Sequence, residues 1–174
     1  MKRVFFYIIL LCVCVACTNK KSKYLSSEDL PEMLKNDTLI LNYHVEIKDV
    51  FDDGSPQVVH FVYKKDTVIK VEKRYYLSGR VFWAGSLKND KRNGLWTAWY
   101  GNGIVWSTGF YKDGINIGLS EAFYENGLLS CSKIYNDKGQ LNGIVKYFSP
   151  AGELLAEIDY KNDTIISQKK YEIE

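Results

Sequence analysis

Glycine recurs through this chain at a nearly constant interval: Gly54, Gly79, Gly103, Gly127 and Gly152 stand 25, 24, 24 and 25 residues apart. A second series, Gly94, Gly118 and Gly143, runs nine residues ahead of the last three. A period of this size is the mark of a repeat architecture, in which each unit is one supersecondary element that cannot bury its apolar face alone. Stacked units of this kind build surfaces more readily than reaction centres, so the expectation is a non-enzymatic chain.

The residues between the glycines predict strands. Leu39 to Ile47 is rich in branched and aromatic side chains and partly alternates, so β-structure is expected from Asp37 onward. Asp53-Gly54, Asn93-Gly94, Asn102-Gly103, Asp113-Gly114, Asn126-Gly127 and Asn142-Gly143 separate apolar runs. Such dipeptides tolerate positive φ at low steric cost and suit tight hairpins. The predicted fold class is all-β: repeated antiparallel β-hairpins forming an elongated meander sheet over residues 37–174, with strands of about six to nine residues.

Aligning the units on their glycines exposes columns. Tyr75, Trp99, Phe123 and Phe148 lie four before the glycine, and Tyr76, Tyr100, Tyr124 and Ser149 three before it. Val81, Val105, Leu129 and Leu154 lie two after it. Val62, Leu87, Tyr111, Tyr135 and Tyr160 lie eight after it. The last two columns share strand parity and are expected on one face, with Val58, Trp83, Ser107, Cys131 and Ala156 between them. Lys169 and Lys170 on the last strand are expected to discourage edge pairing.

The N-terminus reads as an address. Residues 1–16 form a signal peptide, with Lys2 and Arg3 ahead of the apolar run Val4 to Val15, which is too short to span a bilayer. Cys14-Val15-Ala16-Cys17 resembles a bacterial lipobox, which makes Cys17 the expected lipid attachment site and residues 17–36 a lipidated tether. Several acyl chains at about 0.8 kcal/mol per buried methylene would hold such an anchor stably. Thr18 after the cysteine resembles lipoproteins passed to an outer membrane, so the expected location is the bacterial cell envelope, facing the periplasm. Ser26 to Lys35 is expected to hold one short helix capped by serine, its start limited by Pro31.

Charge narrows the partners. The chain has 23 Lys+Arg and 21 Asp+Glu, and loss of Lys2 and Arg3 with the signal leaves 21 of each. A nucleic-acid binder would carry a basic surplus, and so would a reader of anionic lipid, so no nucleic acid is expected. Cys12, Cys14 and Cys17 belong to the signal region, leaving Cys131 as the one thiol in the repeats. Neither an internal disulfide nor a cysteine metal site follows from it.

Lys91 to Gly103, continued to Gly114, resembles a bacterial variant of the MORN repeat, and Gly118 to Asp137 repeats it as Gly-Leu-x-x-x-Phe-Tyr-x-Asn-Gly. Gly143 to Asp163 departs further, with Phe148-Ser149-Pro150-Ala151-Gly152, and Tyr75 to Asn89 supplies at least half a unit. Such chains are grouped with YwqK-type antitoxin-like repeats. The resemblance implies a meandering antiparallel sheet and contacts with protein or phospholipid.

Few residues point to chemistry. His44 and His60 lie in predicted strands with no compact ligand spacing, so no metal is expected, and no cofactor or catalytic residue either. Cys131 sits in a column that favours a small buried residue. No pair of carboxylates is singled out for glycoside chemistry. The best binding candidates are Trp83, Trp96, Trp99 and Trp106, with Tyr100 and Tyr124, since such rings anchor proteins and stack on sugars. The sequence thus predicts a membrane-anchored envelope protein whose repeat sheet binds an unidentified envelope or secreted protein. The alternatives are a glycan at Trp83–Trp106, or immunity against a toxin reaching the periplasm.

Overall fold

The structure is a computed structural model, and it describes residues 24–25 and 29–172. The expected signal peptide, the expected lipid site Cys17, the expected tether through residue 23 and the expected serine cap lie outside the described residues. Eleven strands form one sheet in strict sequence order, each antiparallel to its neighbours. They are β1 (Tyr43–Val50), β2 (Pro56–Tyr63), β3 (Ile69–Tyr75), β4 (Val81–Lys88), β5 (Lys91–Trp99) and β6 (Val105–Lys112). β7 (Ile115–Phe123), β8 (Leu129–Tyr135), β9 (Gly143–Phe148), β10 (Leu154–Lys161) and β11 (Thr164–Lys170) complete it. The all-β meander expected from the repeat is the fold observed.

Two kinds of turn alternate. At one end, the residue three before each glycine of the first series accepts from that glycine's N–H and donates its own N–H to the carbonyl one beyond. In the Tyr100 loop these are Gly103 N to Tyr100 O at 2.9 Å and Tyr100 N to Ile104 O at 2.8 Å. Phe51, Tyr76, Tyr124 and Ser149 do the same, and Asn136 with Gly139 makes the same loop at the other end, between β8 and β9. Gly103 has φ +92°, the left-handed conformation that a three-residue hairpin loop requires. Asn102 adds a side-chain oxygen that accepts from the Ile104 N–H at 2.9 Å, which explains the Asn-Gly pairing.

At the other end the sequence reading needs correction. Asn93-Gly94 lies inside β5, and Asn142-Gly143 runs into the start of β9. The tight turns there are Asn89-Asp90, Asp113-Gly114 and Asn162-Asp163, all with positive φ. Gly94 (φ +91°) and Gly118 (φ +64°) sit where the register slips, so this glycine series marks bulges.

A second bulge repeats with the period. Tyr75 pairs with Val81 while Arg74 pairs with Trp83, leaving Phe82 extra. Trp106, Ser130 and Leu155 are extra in the same way. Each lies three residues after its turn glycine. The bulge reverses parity, so Val81, Val105, Leu129 and Leu154 do not share a face with Leu87, Tyr111, Tyr135 and Tyr160. The expectation from uninterrupted alternation fails for this reason.

A ladder of phenols ties the units together. Tyr76 donates to the Trp99 carbonyl at 2.8 Å, Tyr100 to Phe123 at 2.8 Å and Tyr124 to Phe148 at 2.7 Å. Ser149 ends the ladder and turns inward to Glu153 at 3.0 Å.

The main core lies at the N-terminal end. Leu30, Leu34, Val45, Val59, Phe61 and Tyr75 form a buried cluster, with Leu25, Met33, Leu39 and Ile40 packed against it. Full burial of Leu34, Val59 and Phe61 contributes about 1.5–3 kcal/mol each. The covering segment is not the single short helix expected. It is two 3₁₀ turns, Glu32–Leu34 and Thr38–Leu41, the first starting after Pro31. β1 accordingly starts at Tyr43, not near Leu39. Asp37 caps the second turn through the Leu39 N–H at 3.1 Å and pairs with Lys73 at 2.5 Å. Leu25 N bonds Val45 O at 3.1 Å. The cover is thereby fixed to one face of β1 to β4, here termed the covered face.

Candidate functional site

The tryptophans do not form one surface. Trp83 and Trp96 lie opposite Arg74, Ala98 and Gly85 in the register, on the face away from the cover. Trp96 is 3% exposed, and its indole N–H donates to the Ser86 carbonyl at 3.0 Å. Gly85 makes room for it: a Cβ there would fall 2.2 Å from the indole. Trp83 meets Trp96 edge-on at 5.9 Å, and Tyr111 meets Trp96 at 6.4 Å. The Arg92 guanidinium lies 4.5, 4.6 and 5.1 Å from Trp83, Trp96 and Tyr111. This intramolecular cation cage fills the space a ligand would need. The cavity beside it, lined by Ser107, Gly109 and Ser120 among others, has about 50 Å³, room for a water but not a sugar ring.

Phe82 links this group to Trp106, lying 6.1 Å from Trp83 and stacking on Trp106 at 6.2 Å with an 20° tilt. Tyr100 meets Trp106 at 6.1 Å. Trp106 is the one sequence-nominated tryptophan that is exposed, at 40%. Trp99 pairs with Val105 on the covered face and lines a groove of about 440 Å³ with Lys73, Arg80, Val81 and Ala84. Tyr100 and Tyr124 spend their hydroxyls on the ladder. The structure thus brings Trp83 and Trp96 together, reaches Trp106 through Phe82, and separates Trp99 and Tyr124 from them.

The reactive-looking residues are held in structural roles. His60 Nε2 meets Glu72 at 2.9 Å and Arg74 Nε meets the other oxygen at 2.8 Å, with the His60 and Glu72 side chains 12% and 10% exposed. Burial works to raise the Glu72 carboxyl, but the bonds from His60 and Arg74 outweigh it and hold it below the usual range. His44 stacks on Tyr24 at 4.5 Å. Burial pushes the Cys131 thiol up against the opposing pull of Lys133, the reverse of what a nucleophilic thiolate needs. Among the described residues no group of His, Cys, Asp or Glu is placed to hold a metal. No helix among them is long and apolar enough to cross a membrane.

The feature that sequence reading missed is a set of apolar side chains on the covered face, interrupted by register slips between β4 and β5 and between β6 and β7. Val45 pairs with Phe61, Phe61 with Val71, and Val71 with Ser86. Further on, Leu95 pairs with Phe110, Leu119 with Ile134, and Ile144 with Asp159. Val45 and Phe61 are buried beneath the cover. Beyond Ser86 the cover ends and the set is open: Leu95 is 48% exposed, Phe110 48%, Leu119 46%, Ile134 42% and Ile144 45%. Its signal lay in the repeat, because Ser86, Phe110 and Ile134 each stand seven residues after a turn glycine.

Comparison with known proteins fits this geometry. The family described as MORN repeat variant matches at residues 92–113 and 141–162. No curated protein matches the chain. Among solved structures, a mutant of S. aureus TarM in complex with fondaparinux, α-GlcNAc-glycerol and UDP is similar at 13% identity and a TM-score of 0.39. That match covers 56% of this chain and 19% of the other. A second TarM structure gives 14% identity and a TM-score of 0.37, covering 53% and 18%. This chain therefore spans about a fifth of those proteins' length, and likeness at such scores carries nothing about activity. The two matched segments each contain a turn, a register slip and the strands beside them, and the chain carries MORN repeat variants within one open meander sheet.

Proposed function

We propose that this protein is a non-catalytic, membrane-anchored lipoprotein of the bacterial envelope, whose repeat sheet binds another protein. Lipid on Cys17 fixes it to the outer membrane facing the periplasm, and the tether gives it reach. The open half of the covered face is the docking surface. The observation that carries this reading is the exposed set from Leu95 to Ile144, since a soluble face seldom leaves so many large apolar side chains open without use. The partner is an envelope or secreted protein, and a toxin arriving in the periplasm, which the domain would block, belongs to that class.

The test is photo-crosslinking in cells from position 110 of the lipidated protein, with Cys17→Ala and a crosslinker at position 106 as controls. A recurrent protein adduct from position 110, lost with Cys17→Ala, is the expected result. No protein adduct at position 110 would refute the reading. A second reading, glycan binding, is favoured by the exposed Trp106 stacked on Phe82. It predicts binding on a glycan array that Trp106→Ala abolishes.

A further inference from the structure

We infer that the groove beside Trp99 is a binding site for a small aromatic carboxylate. Thr97 separates it along β5 from the apolar set that begins at Leu95, and its occupancy does not depend on a protein docking there.

The groove exists because one unit breaks the repeat. Elsewhere the residue after a turn glycine plugs the space over the next turn. Ile104 follows Gly103, and its Cγ2 would stand 3.9 Å from a Cβ on Gly127. Leu128 follows Gly127 and does the same one unit on, with Cδ1 3.7 Å from a Cβ on Gly152. At Gly79 the cover takes that part, with Met33 Cε at 3.9 Å. Gly103 is the exception, since nothing lies within 4 Å of the place its Cβ would occupy. The residue in the plug position there is Arg80, which follows Gly79. Its guanidinium is held elsewhere: Nη1 donates to the Gly101 carbonyl at 2.7 Å. The floor departs in the same unit, with Ala84 standing where the next two units carry Thr108 and Ser132. The result is a groove of about 440 Å³ lined by Lys73, Arg80, Val81, Ala84, Trp99 and Gly103. That is the size of a small-molecule site, mostly apolar with a few placed polar groups.

The lining sets the chemistry of the ligand. Lys73 is neutralised by Asp37 at 2.5 Å. Among the described residues Arg80 has no carboxylate partner, and the carbonyl it bonds is neutral. A full positive charge therefore stays at the rim. The bond to Gly101 fixes the guanidinium, whose remaining donors form the planar fork that matches a carboxylate. Trp99, Val81 and Ala84 make the rest of the groove apolar, and an indole favours contact with another ring. A ring against Trp99 with its carboxylate on Arg80 satisfies both parts. A sugar acid does not, because Val81 and Ala84 offer its hydroxyls no side-chain partner and burying them unpaired is costly.

The test is isothermal titration of the full mature chain with 3-phenylpropionate, with its amide and with glucuronate. The expected result is a Kd for the acid of about 1 mM or tighter, the amide at least about tenfold weaker, and no binding of glucuronate. Arg80→Gln should weaken the acid about tenfold and bring it level with the amide. Arg80→Ile restores the plug of the repeat and should abolish binding of acid and amide alike, and so should Ala84→Thr. Both variants introduce side chains that the next unit already carries as Ile104 and Thr108, so the fold is kept, which thermal melts check. Phe110→Asp should leave the titration unchanged. Equal binding of acid and amide, binding of neither, or undiminished binding by Arg80→Ile overturns the inference. A preference for glucuronate overturns it too and assigns the groove to a sugar acid.

Discussion

Replacing Gly85 by alanine tests the packing of the face opposite the cover with one methyl group. The added Cβ would stand 2.2 Å from Trp96 Cδ2 and 2.5 Å from Cγ and Cε2. Ordinary carbon contacts lie at about 3.5–4.0 Å, so the indole must move by more than 1 Å. It is held by the bond to Ser86 O at 3.0 Å, by Trp83 and Tyr111 on its edges, and by Arg92. Forced overpacking costs about 1–3 kcal/mol and loss of the indole bond about 1. Gly85 is not among the positive-φ residues, so alanine is allowed by the backbone and returns about 0.4–1 kcal/mol through the unfolded chain. The net expectation is a loss of about 2 kcal/mol. With m near 2 kcal/mol/M in urea, the unfolding midpoint falls by about 1 M. Gly101→Ala is the control, since nothing lies within 4 Å of its Cβ, and its midpoint should stay or rise slightly. Equal midpoints for the two variants would refute the claim that the indole occupies the space above Gly85.

Other outcomes follow from the same geometry. Trp96→Ala should cost about 3–5 kcal/mol, and Trp106→Ala about 1, in chemical denaturation; similar losses would mean that the two rings are not differently buried. Tyr100→Phe removes one rung of the ladder and should lower stability by about 0.5–1.5 kcal/mol. Combined with Tyr124→Phe, its effect should be close to additive in thermal melts, because each phenol bonds a different carbonyl. The Glu72 carboxyl is held below the usual carboxylate range in the folded chain, so its stabilisation is whole above that range and is lost as pH falls through the folded value. Glu72→Gln should therefore flatten the acid limb of a stability profile, and an unchanged limb would count against the His60–Glu72–Arg74 network.

The spacing of Gly79, Gly103 and Gly127 was enough to read the meander, because a left-handed loop residue, a hairpin and a fixed strand length are local requirements that the chain writes out in order. Asn102-Gly103 shows this directly: the side-chain bond and the positive φ both belong to the dipeptide. Asn93-Gly94 is the same dipeptide but bulges β5 without turning the chain, because whether such a pair turns or bulges depends on where the partner strand runs. The bulges at Phe82 and Trp106 had the same effect on facing. One extra residue per repeat moved Val81 and Leu87 to opposite sides, and nothing within the unit announces it.

The candidate site was legible only in kind. Aromatic residues were the right type to single out, but Arg92 and Gly85, which decide that Trp96 is closed to a ligand, come from neighbouring strands. The open set was present in the repeat as Phe110 and Ile134, yet its meaning required knowing that the segment around Leu30 and Leu34 stops at β4. Sequence by itself determined the repeat, the hairpins and the all-β class, because these rest on contacts between residues close along the chain. Tertiary structure alone decided which face is covered and where the cover ends, because burial is a property of elements brought together from distant parts of the chain.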